Sequence, residues 1–196
     1  MAVSCPCPVS VERYAAVGRA VPRPAAACPR CGERLRADGG YGRQVRANGR
    51  RHRVWVLRGR CSSCAASHAL LPEFVLAHHL DTVDTIGAAL VGQPDPALPA
   101  TTVAGWRRRW RANRADLAVG AAAAHVALSG TIVTDDRAGS LPGLIVALWL
   151  AARERGAASA TPWRSLNVIT GMSWLARRRD SSWAGVGLVP VTARAP

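Results

Sequence analysis

Lysine is absent from this chain of 196 residues, acidic residues are few, and no apolar run is long. Without lysine there is no Gly-x4-Gly-Lys phosphate loop, which excludes that class of nucleotide-binding site. The longest apolar stretch, Leu141 to Ala152, contains Pro142 and Gly143 and is too short to span a membrane. The first residues lack the apolar core of a secretory signal, being broken by Pro6, Pro8, Pro22 and Pro24. These absences predict a cytoplasmic protein with no membrane partner. In that reducing compartment, paired cysteines hold metal more often than they form disulfides.

What is present is arginine. Against 12 acids stand 26 basic residues, all arginine, for a formal net charge of +14, and a chain so basic seeks a polyanion, of which nucleic acid is the first candidate. The missing lysine points to GC-rich coding, so the number of arginines does not itself imply base recognition. The length and uneven composition favour two or three small units over one large core.

Two cysteine pairs organise the chain: Cys28-Pro29-Arg30-Cys31 and Cys61-Ser62-Ser63-Cys64. The C-x2-C spacing lets two thiolates grip one ion, and two such pairs supply the four ligands of a closed tetrahedral Zn2+ site. Gly32 completes the first turn. Four thiolates around one divalent ion lower the formal charge by only two. Cys5 and Cys7 have no nearby partners and are expected to be free thiols. His68 follows Cys64 by four residues but is not needed as a ligand, and His52 is expected at the surface.

Between the pairs, Ala47-Asn48-Gly49 is a hairpin turn signal, and Arg53 to Arg58 is rich in β-formers. The segment Arg34 to Arg60 carries nine arginines and one acid, Asp38. Arg46, Arg50, Arg51 and Arg53 are therefore expected to grip a phosphate backbone, although a solvated charged hairpin explains them equally. A ribbon of about fifty residues buries little apolar surface, so the metal is expected to supply much of its folding free energy and its loss to unfold it.

Helical signals begin after Pro72. Asp81-Thr82-Val83-Asp84 resembles a helix start, Val83, Ile86, Leu90 and Val91 share a face, and Gly92 ends the run. On a helix the adjacent His78 and His79 would diverge. A loop with Pro94, Pro96 and Pro99 leads to a second helix, over 102–115, capped by Thr101 or Thr102. At about 100° per residue Val103, Trp106, Trp110 and Leu117 point inward. Arg108 and Arg111 point outward beside Ala104, Gly105 and Ala112, flanked by Arg107, Arg109 and Arg114. That face is the candidate groove reader. Further on, Ala118–Ala124 and Leu144–Arg155 read as separate helices, Thr161-Pro162-Trp163 opens another, and His125 reads as a core histidine.

Catalytic constellations are wanting. Asp135, Asp136 and Glu154 are the carboxylates available to a metal-dependent nuclease, but adjacent acids on a strand point to opposite faces. They read as capping and surface residues. Arg177-Arg178-Arg179 reads as a solvated terminus. The chain is expected not to be an enzyme.

The segments Cys28-Pro29-Arg30-Cys31-Gly32, Cys61 to Cys64, Leu71-Pro72-Glu73-Phe74, Thr102-Val103 through Trp106-Arg107-Arg108-Arg109-Trp110, Pro162-Trp163-Arg164-Ser165-Leu166-Asn167 and Thr170-Gly171 together resemble an uncharacterised bacterial family. Its members pair a zinc ribbon with helix-turn-helix-like helices and look like the N-terminal regions of insertion-sequence transposases. The resemblance covers roughly residues 25–175 and implies DNA binding linked to mobile elements. It brings no catalytic residues.

The expected fold class is α+β: a small four-cysteine zinc ribbon followed by a mostly α-helical, helix-turn-helix-like region and C-terminal helices. Residues 1–24 would be an extended or partly disordered arm, 25–73 the ribbon, 74–116 the DNA-binding region, 117–180 a helical region and 181–196 a tail. The expected function is zinc-dependent DNA binding without catalysis, in transposition or transcriptional regulation. The alternatives are an adaptor docking on a transposase or polymerase, and a transposase fragment without its catalytic domain.

Overall fold

The structure is a computed structural model that describes residues 2–133, 139–156, 159–172 and 174–175. Asp135, Asp136, the Arg177–Arg179 cluster and the predicted tail lie outside the described residues. The architecture is α+β, as the sequence predicts: a four-stranded sheet with a cysteine cluster at one end, followed by helices.

Strands β2 (Arg36–Ala47) and β3 (Arg50–Arg60) form the predicted hairpin. Asn48 (φ 50°) and Gly49 (φ 70°) both sit in the left-handed region that a two-residue primed turn requires. Strand β4 (Ser67–Pro72) pairs antiparallel with β3, and β1 (Ala2–Cys5) adds in parallel to the other edge of β4, giving the order β1-β4-β3-β2.

The expectation of an extended or disordered arm over residues 1–24 is therefore corrected. Strand β1 is followed by helix α1 (Val11–Val17), which Ser10 caps by accepting from Arg13 N–H at 3.2 Å. The segment is ordered because β4 would otherwise present an open edge. Val11 is also buried in the core, and Tyr14 Oη donates to Trp55 O at 3.0 Å.

Helix α2 (Val83–Leu90) is capped by Thr82, whose hydroxyl accepts from Thr85 N–H, and it is followed by Gly92 at φ 92°. His78 and His79 precede it in a turn, with His78 at φ 63°, so no helix separates them. Helix α3 (Ala100–Ser129) has 30 residues and fuses the two helices expected at 102–115 and 118–124. It begins after Pro99 without a side-chain cap, so neither Thr101 nor Thr102 caps it. Its alanine-rich half continues because Ala121 and Ala124 pack on Leu144 and Leu148 of α4 (Leu141–Glu154), and Gly130 at φ 74° ends it. His125 is not a core residue: it is half-buried, with Nδ1 3.1 Å from Thr131 O and 3.2 Å from Ser129 Oγ. Helix α5 (Pro162–Ile169) is capped by Thr161.

One core joins these elements. Val45, Val54 and Val56 of the hairpin pack in the same cluster as Phe74, Ile86, Trp106, Trp110, Leu166 and Trp174. The division at residue 73 into a metal-held ribbon and a separate helical region is thus corrected, because one face of the hairpin is the floor on which the helices sit. Trp110, Trp163 and Trp174 meet at ring centroid distances of 5.6–6.0 Å. Among the described residues no helix is long and apolar enough to cross a membrane.

Helix α2 meets this tryptophan cluster at Gly87, where a Cβ would run into the Trp163 ring. Gly87→Ala is expected to destabilise the fold by about 1–3 kcal/mol through overpacking, despite alanine's better helix propensity. Urea unfolding that shows a gain would mean that Trp163 yields freely.

Candidate metal centre and basic surface

The two cysteine knuckles close on one point. Cys28 and Cys31 precede β2, while Cys61 and Cys64 occupy the turn between β3 and β4, and all four Sγ atoms lie within 4.8 Å of one another. Cys31 and Cys61 are 3.4 Å apart, and Cys28 and Cys64 3.6 Å. Thiolates bound tetrahedrally at about 2.3 Å would be separated by about 3.8 Å, so the set fits one metal ion. It does not fit disulfides, whose sulfurs sit about 2.05 Å apart, and all six cysteines are free.

Local backbone makes each knuckle. Cys28 N–H donates to Glu33 O at 2.7 Å and Gly32 N–H to Cys28 O at 2.8 Å, with Gly32 at φ 76°. Cys61 N–H donates to Ala66 O at 2.9 Å across the second turn, where Ala65 takes φ 55°. Backbone N–H groups of the turns also bear electrostatically on the sulfurs. Cys64 N–H, opposed by burial and assisted by contacts from Cys31 and Cys64 Sγ, holds the Cys61 thiol down at about 6. Against the pull of Glu33 N–H, the hydrogen bond to Cys61 pushes Cys31 up to about 12. The two thiols are thus coupled, one favoured as thiolate and the other as thiol.

Beneath the knuckles, Cys5, Leu35 and Leu70 pack with Cys28 and Cys61 in a small apolar cluster. Burial pushes the Cys5 thiol up to about 11 and raises Cys7 as well, so both remain protonated thiols outside the metal set. His68 is 1% exposed and lies one layer out, with Nε2 3.5 Å from Cys28 Sγ. It is not one of the four converging ligands. His52 is half-buried, its Nε2 3.8 Å from Glu12, so the expected surface histidine is partly covered by α1.

The candidate DNA-contacting residues divide into two groups. Arg46 is tied to Asp81, with Nε 2.6 Å and Nη2 3.0 Å from its carboxylate oxygens, and β2 also exchanges backbone bonds with residues 80–82 there. Arg107 donates from Nε and Nη2 to Ala89 O at the end of α2. Both are corrected to structural arginines, because each satisfies a buried acceptor that would otherwise be unpaired. Arg109 is half-buried beside His79, which burial first and Arg109 second hold down at about 4. By contrast, Arg108, Arg111 and Arg114 are exposed on α3 and make no ion pair among the described residues, as is true of Arg50, Arg51 and Arg53 near the hairpin tip. Thr101 is exposed and Thr102 half-buried. Val103, Trp106, Trp110 and Leu117 are buried as the helical period predicts.

A second polar cluster went unassigned in the sequence. Arg164 is buried and donates from Nε to Asp84 Oδ2 at 2.7 Å and from Nη1 to Val9 O at 3.0 Å and Cys7 O at 3.3 Å. Glu73 is fully buried, accepts from Ser159 Oγ and Ala160 N–H, and lies 3.9 Å from Arg164 Nη1. Asn167 donates to Glu73 O and Val75 O and accepts from Trp174 Nε1. The available signal was a charge inside the otherwise apolar stretch Leu71–Leu76 and an arginine within the half-apolar stretch Trp163–Ile169. The cluster staples the N-terminal segment, the exit of β4, the start of α2 and α5.

Fold and site together define an α+β protein with a four-cysteine centre able to hold a metal ion. Residues 28–110 match the model of a family described as a domain of unknown function (DUF6431). The matched stretch starts at the first cysteine of the centre and ends at Trp110 on α3, so it takes in both knuckles, the hairpin, α2 and the start of the basic helix. No curated protein and no solved structure matches the chain.

Proposed function

We propose that the four thiolates hold a structural Zn2+ and that the chain is a non-catalytic DNA-binding protein acting in transposition or as a transcriptional regulator. A set of four soft thiolates suits zinc, and with every position filled by protein none remains open for substrate. The observation that carries the DNA reading is the outer face of α3. There Arg108, Arg111 and Arg114 stand exposed, without acidic partners among the described residues, next to exposed Ala104 and Ala112, whereas Arg107 on the same helix is tied down. Small residues let the helix backbone approach a groove, and unpaired guanidinium groups reach base edges or phosphates.

Helices α2 and α3 form the helix-turn-helix-like pair, and α5, packed on α2 at Gly87, supplies the third helix that such units use. The exposed Arg50, Arg51 and Arg53 supply backbone contacts. The link to mobile elements rests on the resemblance to transposase N-terminal regions.

The test is a gel shift of the zinc-loaded full chain on duplex DNA. Affinity is expected to fall with salt by about one logarithmic unit per logarithmic unit for each phosphate contact. Arg108→Ala combined with Arg111→Ala is expected to cost about 1–3 kcal/mol for each arginine that reads a base. Unchanged binding by that variant would sink the docking of α3. No shift at low salt, with a transposase or polymerase co-purifying, would favour the adaptor instead. Its docking surface would then exclude Leu144, Ile145 and Leu148 of α4, which are buried in this fold.

A further inference from the structure

We propose that His68 is the positioning residue of the metal centre, donating from Nε2–H to Cys28 Sγ and fixing that sulfur as a ligand. The proposal rests on the four cysteines holding a metal.

Four thiolates around a divalent ion carry a net charge of minus two in a half-buried site, and N–H donors to sulfur spread that charge. For three of the sulfurs, backbone N–H groups of the knuckle turns favour the thiolate electrostatically: Glu33 for Cys31, Cys64 and Ser63 for Cys61, and Ala66 for Cys64. These follow from the knuckle turns themselves. For Cys28 the donor is a side chain, the His68 ring at 3.5 Å, delivered by β4 from outside either knuckle.

The other ring nitrogen fixes the direction of this bond. His68 is 1% exposed, and its Nδ1 has no hydrogen-bond partner among the described residues. A buried N–H without an acceptor is rarer and costlier than a bare acceptor. The ring therefore carries its hydrogen on Nε2, facing Cys28, and leaves Nδ1 as the unpaired acceptor. A metal-bound Cys28 thiolate can only accept, so this tautomer matches the loaded state. A metal-free Cys28 thiol offering its own hydrogen would meet another hydrogen. The imidazole thus favours Cys28 as an acceptor, which is its role when the metal is bound. Its position behind Cys28, outside the group of four converging sulfurs, makes it a support and not a fifth ligand.

Cobalt titration of the full chain, with zinc competition, tests this. The wild type is expected to bind one cobalt with a four-thiolate spectrum; absence of any such binding would overturn the metal reading and this proposal together. His68→Leu is expected to bind metal about 10–100-fold more weakly and to shift the sulfur-to-cobalt absorption. His68→Gln, whose amide restores an N–H donor, is expected to recover part of both. Equal affinity and spectrum in the Leu variant and the wild type would overturn the proposal, as would equal losses in Leu and Gln, which would indicate packing alone. A wild-type spectrum of three sulfurs and one nitrogen would also overturn it, making His68 a ligand.

Discussion

Cys61→Ser is expected to abolish stoichiometric metal binding and to open the knuckle end of the sheet while the rest of the molecule stays folded. A structural zinc contributes on the order of 10–16 kcal/mol in isolated zinc-finger peptides, where metal and core are the same thing. Here they are separate. The centre rests on the small cluster of Cys5, Cys28, Leu35, Cys61 and Leu70, whereas Val45, Val54 and Val56 belong to the larger core shared with the helices. Hydrogen exchange discriminates the outcomes. Without metal, the amides of Cys28, Leu35 and Cys61, bonded across the knuckles to Glu33, Ala26 and Ala66, should lose protection. The Thr82 and Val83 amides, bonded to Arg46 O and Phe74 O, should keep theirs. Loss of protection throughout would restore the expectation that metal holds the whole ribbon together.

The same centre sets a pH dependence. Protons compete with metal for thiolates, so metal is released as pH falls. In the metal-free chain, Cys61 is depressed from 9.0 to about 6, chiefly by the Cys64 N–H. Its neighbour Cys31 is pushed the opposite way by the contact between the two, so in the metal-free chain the two shifts offset and the pH dependence is that of metal release. The hydrogen-exchange contrast is best measured near pH 7, where the loaded centre keeps its ligands ionised.

What could be read in the sequence was what is local. Each cysteine knuckle is a single turn, the hairpin is declared by Asn48-Gly49, and the inward face of α3 is a period of 3.6 residues carried by Val103, Trp106, Trp110 and Leu117. The fate of each arginine was not local. Arg107 and Arg108 are neighbours of one type, and only the arrival of Ala89 O beside one of them decides that it is structural. Arg46 likewise looks like its ribbon companions until Asp81 lies against it. Strand β1 was missed because four residues give no usable alternation and their partner is β4, on the far side of the hairpin. The polar staple joins Glu73 to Asn167, 94 positions apart, so nothing in either stretch alone announces it.

That staple gives the largest stability effect expected in this chain. Arg164→Ala should cost about 3–5 kcal/mol, the usual loss when one partner of a buried ion pair is removed. The variant leaves Cys7 O and Val9 O without their donor, Asp84 with Thr161 Oγ1 alone, and fully buried Glu73 without its nearest cation. Arg164→Lys should recover only part, because a single ammonium cannot reproduce the fork that serves Asp84 on one side and two carbonyls on the other. Burial already raises the Glu73 carboxyl above its ordinary value, with Arg164 opposing that rise. Without the arginine it should climb further, so the folded variant binds an extra proton and its deficit should shrink as pH falls from 7 towards the carboxylate range. Urea unfolding at two pH values measures both effects, and a loss below about 1 kcal/mol at pH 7 would show that the staple is not what joins α5 to the sheet. Exposed Arg108 provides the control: its replacement by alanine should change stability by less than about 0.5 kcal/mol while weakening DNA binding. If the proposed function holds, Arg164→Ala and Arg108→Ala separate the arginines that build the fold from those that face the nucleic acid.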